Sequence, residues 1–190
     1  RPAFAFYSER RIDVSLDNVS RHMLNSVVAV EDRRFYSHYG LDPIRIGGAA
    51  VRNIRQRRIV EGGSTITQQL ARAVRLSPAR TFERKLREAM LALRLEERYS
   101  KAHILQEYLN TVYFGEGFYG VEAASRGYFG KPAAELATAE AALLAALVRT
   151  PSRDAPSVSI DRATRRRNLV LRLMEQQGFI TADERSEGVR

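Results

Sequence analysis

Cysteine is absent from this 190-residue chain, which excludes disulfides and thiolate metal sites and leaves the redox character of its compartment open. Histidine is scarce: His22, His38 and His103 stand far apart and show no zinc-ligand spacing. No run is long and apolar enough to cross a bilayer, no signal peptide opens the chain, and no internal repeat or low-complexity tract interrupts it. Acids are the minority charge. Against 31 Lys+Arg stand 22 Asp+Glu, a formal net charge of +9 that favours anionic partners: nucleic acid, a phosphate-bearing substrate or an acidic membrane surface. Charge alone does not choose among them. What is present, 44% hydrophobic residues in a chain of this length, fits one globular domain with a sizeable core. The start at Arg1-Pro2-Ala3-Phe4 and the end at Gly188-Val189-Arg190 read as cuts within a longer protein.

Periodicity reads as helix almost throughout. Residues 4–14 hold the only strand pattern, with Phe4, Phe6, Ile12 and Val14 alternating. Asp17 is expected to cap a helix running to about residue 36. Asp42-Pro43 starts another, with Ile44, Val51 and Ile54 turned inward and Arg52, Arg55, Arg57 and Arg58 on its outer side. Gly47-Gly48 weakens that second helix, so it reads as a mobile segment lying on something anionic or amphipathic; a solvated charged face is the even alternative. Glu61-Gly62-Gly63-Ser64 is a tight turn into a helix capped by Ser64, with Ile66, Leu70 and Ala73 buried. Its free amides suit a phosphate oxygen, although most such turns only cap helices. Beyond the break at Ser77-Pro78, Thr81 opens a long helix to about residue 99, with Phe82, Leu86, Ala89, Met90 and Leu93 facing a core and Leu91 and Leu95 on another side. Ser100 caps the next, closed by the turn Gly115-Glu116-Gly117. Residues 120–128 form a short helix ended by Gly130, and the Ala/Leu-rich run over 136–148 passes through the middle of the fold. Residues 150–160 are a loop. Asp161 caps a helix burying Leu169, Leu173 and Met174, and Thr181 with Glu184 forms a capping box for the last. No domain boundary is marked.

Two acids stand out. Leu24, Val27, Val28, Glu31 and Phe35 recur at three- and four-residue steps, which puts Glu31 among hydrocarbon on one helix face. Partial desolvation disfavours the charged form of a carboxylate and suits it to take a proton, so Glu31 is the first candidate for a general base. The ordinary alternative is a rim acid paired with Arg33 or Arg34. Glu88 lies one turn beyond Arg84 and three residues after Lys85: either an intrahelical ion pair or a second carboxylate held ionised by two cations.

Five ordered blocks then resemble one family. They are Glu31-Asp32-Arg33-Arg34-Phe35 with His38 and Gly40; Gly62-Gly63-Ser64-Thr65-Ile66-Thr67-Gln68-Gln69-Leu70; Arg84-Lys85-Leu86-Arg87-Glu88; Ile104-Leu105-Gln106-Glu107-Tyr108-Leu109-Asn110 leading to Tyr113-Phe114-Gly115; and Arg166-Arg167-Asn168-Leu169 onward. Together they are similar to the peptidoglycan glycosyltransferase domain of class A penicillin-binding proteins and their monofunctional relatives, over residues 7–178.

The resemblance implies a mainly α, lysozyme-like multi-helix domain over residues 1–190, with a small mobile jaw at about 41–61. It implies polymerisation of lipid II onto a growing glycan strand by inverting β-1,4 bond formation, with release of undecaprenyl pyrophosphate and inhibition by moenomycin. Glu31 would deprotonate the acceptor hydroxyl. Glu88 would serve the donor side, near the pyrophosphate or a divalent cation, Mg2+ or Mn2+, that only the resemblance implies. Ser64, Thr65, Gln68, Gln69 and Asn110 would bind and position substrate, a structural helix-end role being equally open for Asn110. Arg72, where relatives often carry lysine, would contact the donor phosphates, and Arg80, Arg84 and Lys85 would complete the cationic floor. His38, with Gly40, serves the site or only fixes the loop. The implied setting is the outer face of the bacterial cytoplasmic membrane, through an anchor this chain lacks, with a transpeptidase domain in a longer parent.

The residues agree with this reading on their own chemistry. A sugar hydroxyl needs a base within hydrogen-bond reach, and a pyrophosphate leaving group needs fixed positive charge. A lysozyme-like glycan hydrolase or lytic enzyme is the alternative, but it has no use for cations gathered round its second carboxylate. A basic nucleic-acid-binding module is the third reading. The arginines are dispersed over many helices without a recognition motif or stacking aromatics, so no nucleic acid is expected as partner.

Overall fold

The computed structural model describes residues 10–56, 63–75 and 82–189; of residues 10, 50, 52–54, 74, 75 and 82 it describes the backbone alone. Outside that description lie Phe4 and Phe6 of the expected strand, Arg57, Arg58, Glu61 and Gly62, the break at Ser77-Pro78, Arg80, the expected cap Thr81, and the side chains of Arg52, Ile54 and Phe82.

The described residues are mainly helical: α1 (Arg21–Glu31), α2 (Pro43–Arg55), α3 (Ile66–Arg75), α4 (Phe82–Arg98), α5 (Lys101–Thr111), α6 (Val121–Phe129), α7 (Thr138–Leu147), α8 (Pro151–Asp154), α9 (Ile160–Gln176) and α10 (Ala182–Val189). They form two compact units, Arg1–Val30 with Leu109–Arg190, and Glu31–Tyr108. The first unit is built from two separate stretches of chain and α1 and α5 run through the boundary, so no linker or composition shift marks it in the sequence.

In the first unit the run expected at the centre is there. α7 buries Ala141, Ala142, Leu144, Ala145 and Leu147 and packs against α9, whose buried side is Ala163, Val170, Leu171 and Met174. Burial this complete follows from composition: α7 has no polar stripe to give to water. Ser159, not Asp161, caps α9 through a bond from the Arg162 amide, and Leu169 is exposed rather than buried. Arg166, from the fifth sequence block, pairs with buried Asp154 at 3.2 Å. The Thr181–Glu184 capping box forms as expected, with Thr181 N donating to Glu184 at 2.7 Å. The expected loop at 150–160 contains the single turn α8.

Among the described residues the strand pattern expected over 4–14 is met at β1 (Arg10–Arg11), while Ile12 and Val14 lie outside it. Two further strands that were not expected, β2 (Tyr113–Gly115) and β3 (Phe118–Tyr119), join it in a sheet of order β1-β3-β2, β1 parallel and β2 antiparallel to β3. The turn read as a helix stop is thus a hairpin. Glu116 (φ 53°) and Gly117 (φ 82°) supply the positive φ pair that matches strand twist, and strands of two and three residues are too short to show alternation. The helix expected from Asp17 is also shorter: Ser15 caps a 3-10 turn, Leu16–Asn18, before α1, which stops at Glu31, and Phe35 belongs to a separate 3-10 turn, Phe35–Ser37.

In the second unit, α3 packs on α4. Asp42 caps α2 as expected, accepting from the Arg45 amide at 3.1 Å. The orientation of α2 and α4 overturns expectation. Ile44 and Val51 are exposed, as are Leu86, Met90 and Leu93, while α4 turns Glu88, Ala92 and Glu96 inward. A helical period says which residues share a face, but only the neighbouring elements say which face is covered. Here the covered face holds polar groups with partners: Glu96 accepts from Thr67 at 2.6 Å and pairs with Lys101 at 2.7 Å.

Candidate active site

Glu31 is the last residue of α1 and is 9% exposed. Neither neighbouring arginine pairs with it: Arg34 lies 3.5 Å from Asp42 instead. Its carboxylate Oε2 accepts from Gln69 Nε2 at 2.8 Å, and Gln69 Oε1 in turn accepts from the Tyr108 hydroxyl at 3.2 Å. Tyr108 is buried. That burial first, and the nearby charge of Glu31 second, push its phenol well above the usual range, with Arg72 opposing and Asp32 adding to the rise.

Asp32, given no role by the sequence, anchors the segment that follows Glu31. Fully buried, it holds His38 Nε2 at 2.9 Å and the Ile66 amide at the start of α3 at 3.0 Å, both through Oδ2, with Arg45 Nη1 3.6 Å from Oδ1. Arg45 Nη1 also donates to the main-chain oxygen of Glu31. An acid at a helix N-terminus satisfies an orphan amide and meets the positive end of the helix. His38 therefore acts on the loop, tying it to Asp32, and Gly40 (φ 71°) lets that loop lie against the Ala92 main chain, where a Cβ would sit 3.0 Å from it. The only sequence signal for Asp32 was its place beside Glu31. Asp32→Asn is expected to cost about 1–3 kcal/mol, because the amide keeps one oxygen for His38 and Ile66 but turns an NH2 toward Arg45 and loses the buried negative charge that faces it; urea unfolding of the variant measures it.

The cap of α3 is Thr65, one residue later than expected. Gln68 N donates to Thr65 Oγ1 at 3.1 Å and Thr65 N to Gln68 Oε1 at 3.0 Å, a capping box, while Thr65 Oγ1 donates to Gly40 O at 2.6 Å. Thr65 and Gln68 are both buried, so they shape the turn. Gly63 sits close to the main chain of Ile46 on α2. Ala73 is exposed, contrary to expectation, and Arg72 is exposed beside it.

Glu88, 2% exposed, accepts from Arg84 at 2.5 Å on Oε1 and from Lys85 at 2.9 Å on Oε2, and Lys85 also donates to Ser64 at 2.8 Å. Residues 64–69 thus connect both acids: Ser64 reaches the Glu88 cluster through Lys85, and Gln69 reaches Glu31. The two carboxylates have different surroundings, one held by a neutral amide and one braced by two cations, which is how a site divides roles between acids. Asn110 belongs to the other unit, where its amide exchanges two bonds with the Val14 main chain at 3.1 and 3.0 Å.

Both oxygens of Glu88 are taken by cations, and no group of three His, Asp or Glu that could hold an ion gathers among the described residues. Among the described residues the side chains do not fit a protein-held Mg2+ or Mn2+. A cavity of about 460 Å³ opens between α3, α4 and α5, lined by Leu70, Leu91, Leu95 and Ile104 with Arg94 and Arg98; it takes in none of the residues assigned to the chemistry.

The family model described as "Transglycosylase" matches residues 2–175. Penicillin-binding protein 1A of Aquifex aeolicus (strain VF5) is 49% identical over 181 residues, covering 95% of this chain and 25% of the relative. Penicillin-binding protein 1F of Bacillus subtilis (strain 168) is 43% identical over 180 residues, covering 95% and 25%, and penicillin-binding protein 1A of Escherichia coli (strain K12) is 46% identical over 181, covering 95% and 21%. The chain spans about a quarter of the length of these curated relatives. The crystal structure of penicillin-binding protein 1A from Haemophilus influenzae matches the fold, with a TM-score of 0.57 at 24% identity over 96% of this chain and 18% of that one.

Proposed function

The chain belongs to the transglycosylase family, the peptidoglycan glycosyltransferase domain of class A penicillin-binding proteins, and from that premise we propose that it polymerises lipid II into glycan strands with inversion. The observation that carries the reading is the pair of unlike acids joined through residues 64–69. Glu31 takes the proton of the acceptor sugar hydroxyl as that oxygen attacks the anomeric carbon, and undecaprenyl pyrophosphate leaves. Gln69 occupies one carboxylate oxygen and leaves the other to receive the proton. Glu88 holds Arg84 and Lys85 side by side, and with Arg72, and Arg80 outside the described residues, they offset the charge that grows on the leaving diphosphate. Preset cations need no rearrangement as that charge appears. No step is routed through a metal ion.

Lipid II brings a membrane surface with it. The exposed Ile44, Ile46 and Val51 of α2 and Leu86, Met90 and Leu93 of α4 support contact with lipid, since each helix turns apolar side chains outward. No helix among the described residues is long and apolar enough to cross a membrane. Work at the outer face of the cytoplasmic membrane, an anchor, and a transpeptidase domain in the longer parent chain belong to the same proposal. The family match gives the hydrolase alternative no support.

Labelled lipid II incubated with the protein, with and without a chelator, is the test. Ladders of glycan polymer with release of undecaprenyl pyrophosphate, blocked by moenomycin, are expected. Product loss in the chelator arm alone assigns a divalent ion to the substrate phosphates. No polymer in either arm overturns the reading.

A further inference from the structure

The amide of Gln69 has two ends of nearly the same shape and opposite chemistry: an oxygen that accepts and an NH2 that donates. An ionised carboxylate only accepts, so only one orientation of Gln69 serves Glu31. On the far side of that amide stands the Tyr108 hydroxyl, buried on α5, donating to Gln69 Oε1 at 3.2 Å while Gln69 Nε2 donates to Glu31 Oε2 at 2.8 Å. We propose that Tyr108 is a positioning residue for the base, its hydroxyl holding the oxygen end of the Gln69 amide in place while the NH2 end donates to Glu31.

The chemistry of the surroundings supports this. Burial first, then the charge of Glu31, hold the phenol of Tyr108 well above its ordinary range, with Asp32 adding to the rise and Arg72 opposing it. Tyr108 therefore keeps its proton wherever the enzyme works and remains a donor. Among the described residues, Arg45 donates to the main-chain oxygen of Glu31, and Asp32 is occupied by His38 and the Ile66 amide. Glu31 selects the NH2 end of Gln69, and the Tyr108 hydroxyl anchors the other end. The result is a relay from α5 through α3 to the end of α1 that holds the Gln69 donor against Glu31.

The inference rests on the polymerase reading, and its test separates the two. Tyr108→Phe keeps the ring and removes only the proton. Steady-state polymerisation of lipid II is expected to lose about tenfold in kcat, the worth of one hydrogen bond, with KM changed less than about twofold. Gln69→Leu is expected to lower kcat as well, and the double variant to be no slower than Gln69→Leu alone, because both changes break one relay. A role confined to packing leaves kcat of Tyr108→Phe at the wild-type value, and that outcome overturns the proposal. Additive losses in the double variant overturn it too. An inactive wild type sinks the polymerase reading itself, a result distinct from an active wild type that Tyr108→Phe merely matches. Thermal unfolding of each variant confirms that it folds.

Discussion

Glu31→Gln is expected to stop polymerisation of lipid II, with a loss of about 10²- to 10⁴-fold in the rate, the range that a positioned general base contributes. The substitution is close to isosteric. The contacts that hold the segment in place survive it: Arg45 bonds to the main-chain oxygen of residue 31, and the side-chain oxygen that accepts from Gln69 has a carbonyl counterpart in glutamine. What disappears is the capacity to take a proton. Rates of polymer formation, read beside the thermal unfolding midpoint, check it. A folded variant that retains turnover removes Glu31 from the base role.

Glu88→Gln is expected to cost about 10²- to 10³-fold, comparable to losing one preset electrostatic group. Two readings compete for this acid, and they differ in where the damage appears. As an intrahelical ion pair it supports α4 by about a few tenths of a kcal/mol, and its Lys85 partner is 46% exposed, so solvent screens that contact. As the brace for Arg84 and Lys85 it sets where positive charge meets the diphosphate, and neutralising it releases both cations to other rotamers. Activity should therefore fall steeply while the unfolding midpoint moves little. A near-normal rate favours the simple ion pair.

Comparing the acids shows what was legible. Arg84, Lys85 and Glu88 meet as their spacing on one helix dictates, because i, i+3 and i, i+4 neighbours are set by helical geometry alone. Glu31 was legible for the same reason, as an acid in an apolar period. Asp32 was not. Its value comes from His38, Arg45 and the Ile66 amide, three partners contributed by other stretches of chain, and no local pattern encodes their meeting. Tyr108 stands in the fourth motif block, and nothing local places Gln69 against its hydroxyl. Thr65 and Gln68 carried their capping box in plain view, yet the preceding serine, at an equally good cap position, took the assignment.

By itself the sequence determined the helical class, most helix positions, the buried course of α7, the family and the meeting of Arg84, Lys85 and Glu88, since each depends on period, capping chemistry or motif order within one stretch. Tertiary structure alone decided that α4 turns Glu88 and Glu96 inward and Leu86 and Met90 outward, that two- and three-residue strands pair into a sheet, that Asp32 gathers His38, Arg45 and the Ile66 amide, and that Tyr108 meets Gln69. The physical reason is common to them all. A face, an edge or a buried polar atom acquires its role from whatever packs against it, and that neighbour comes from elsewhere in the chain.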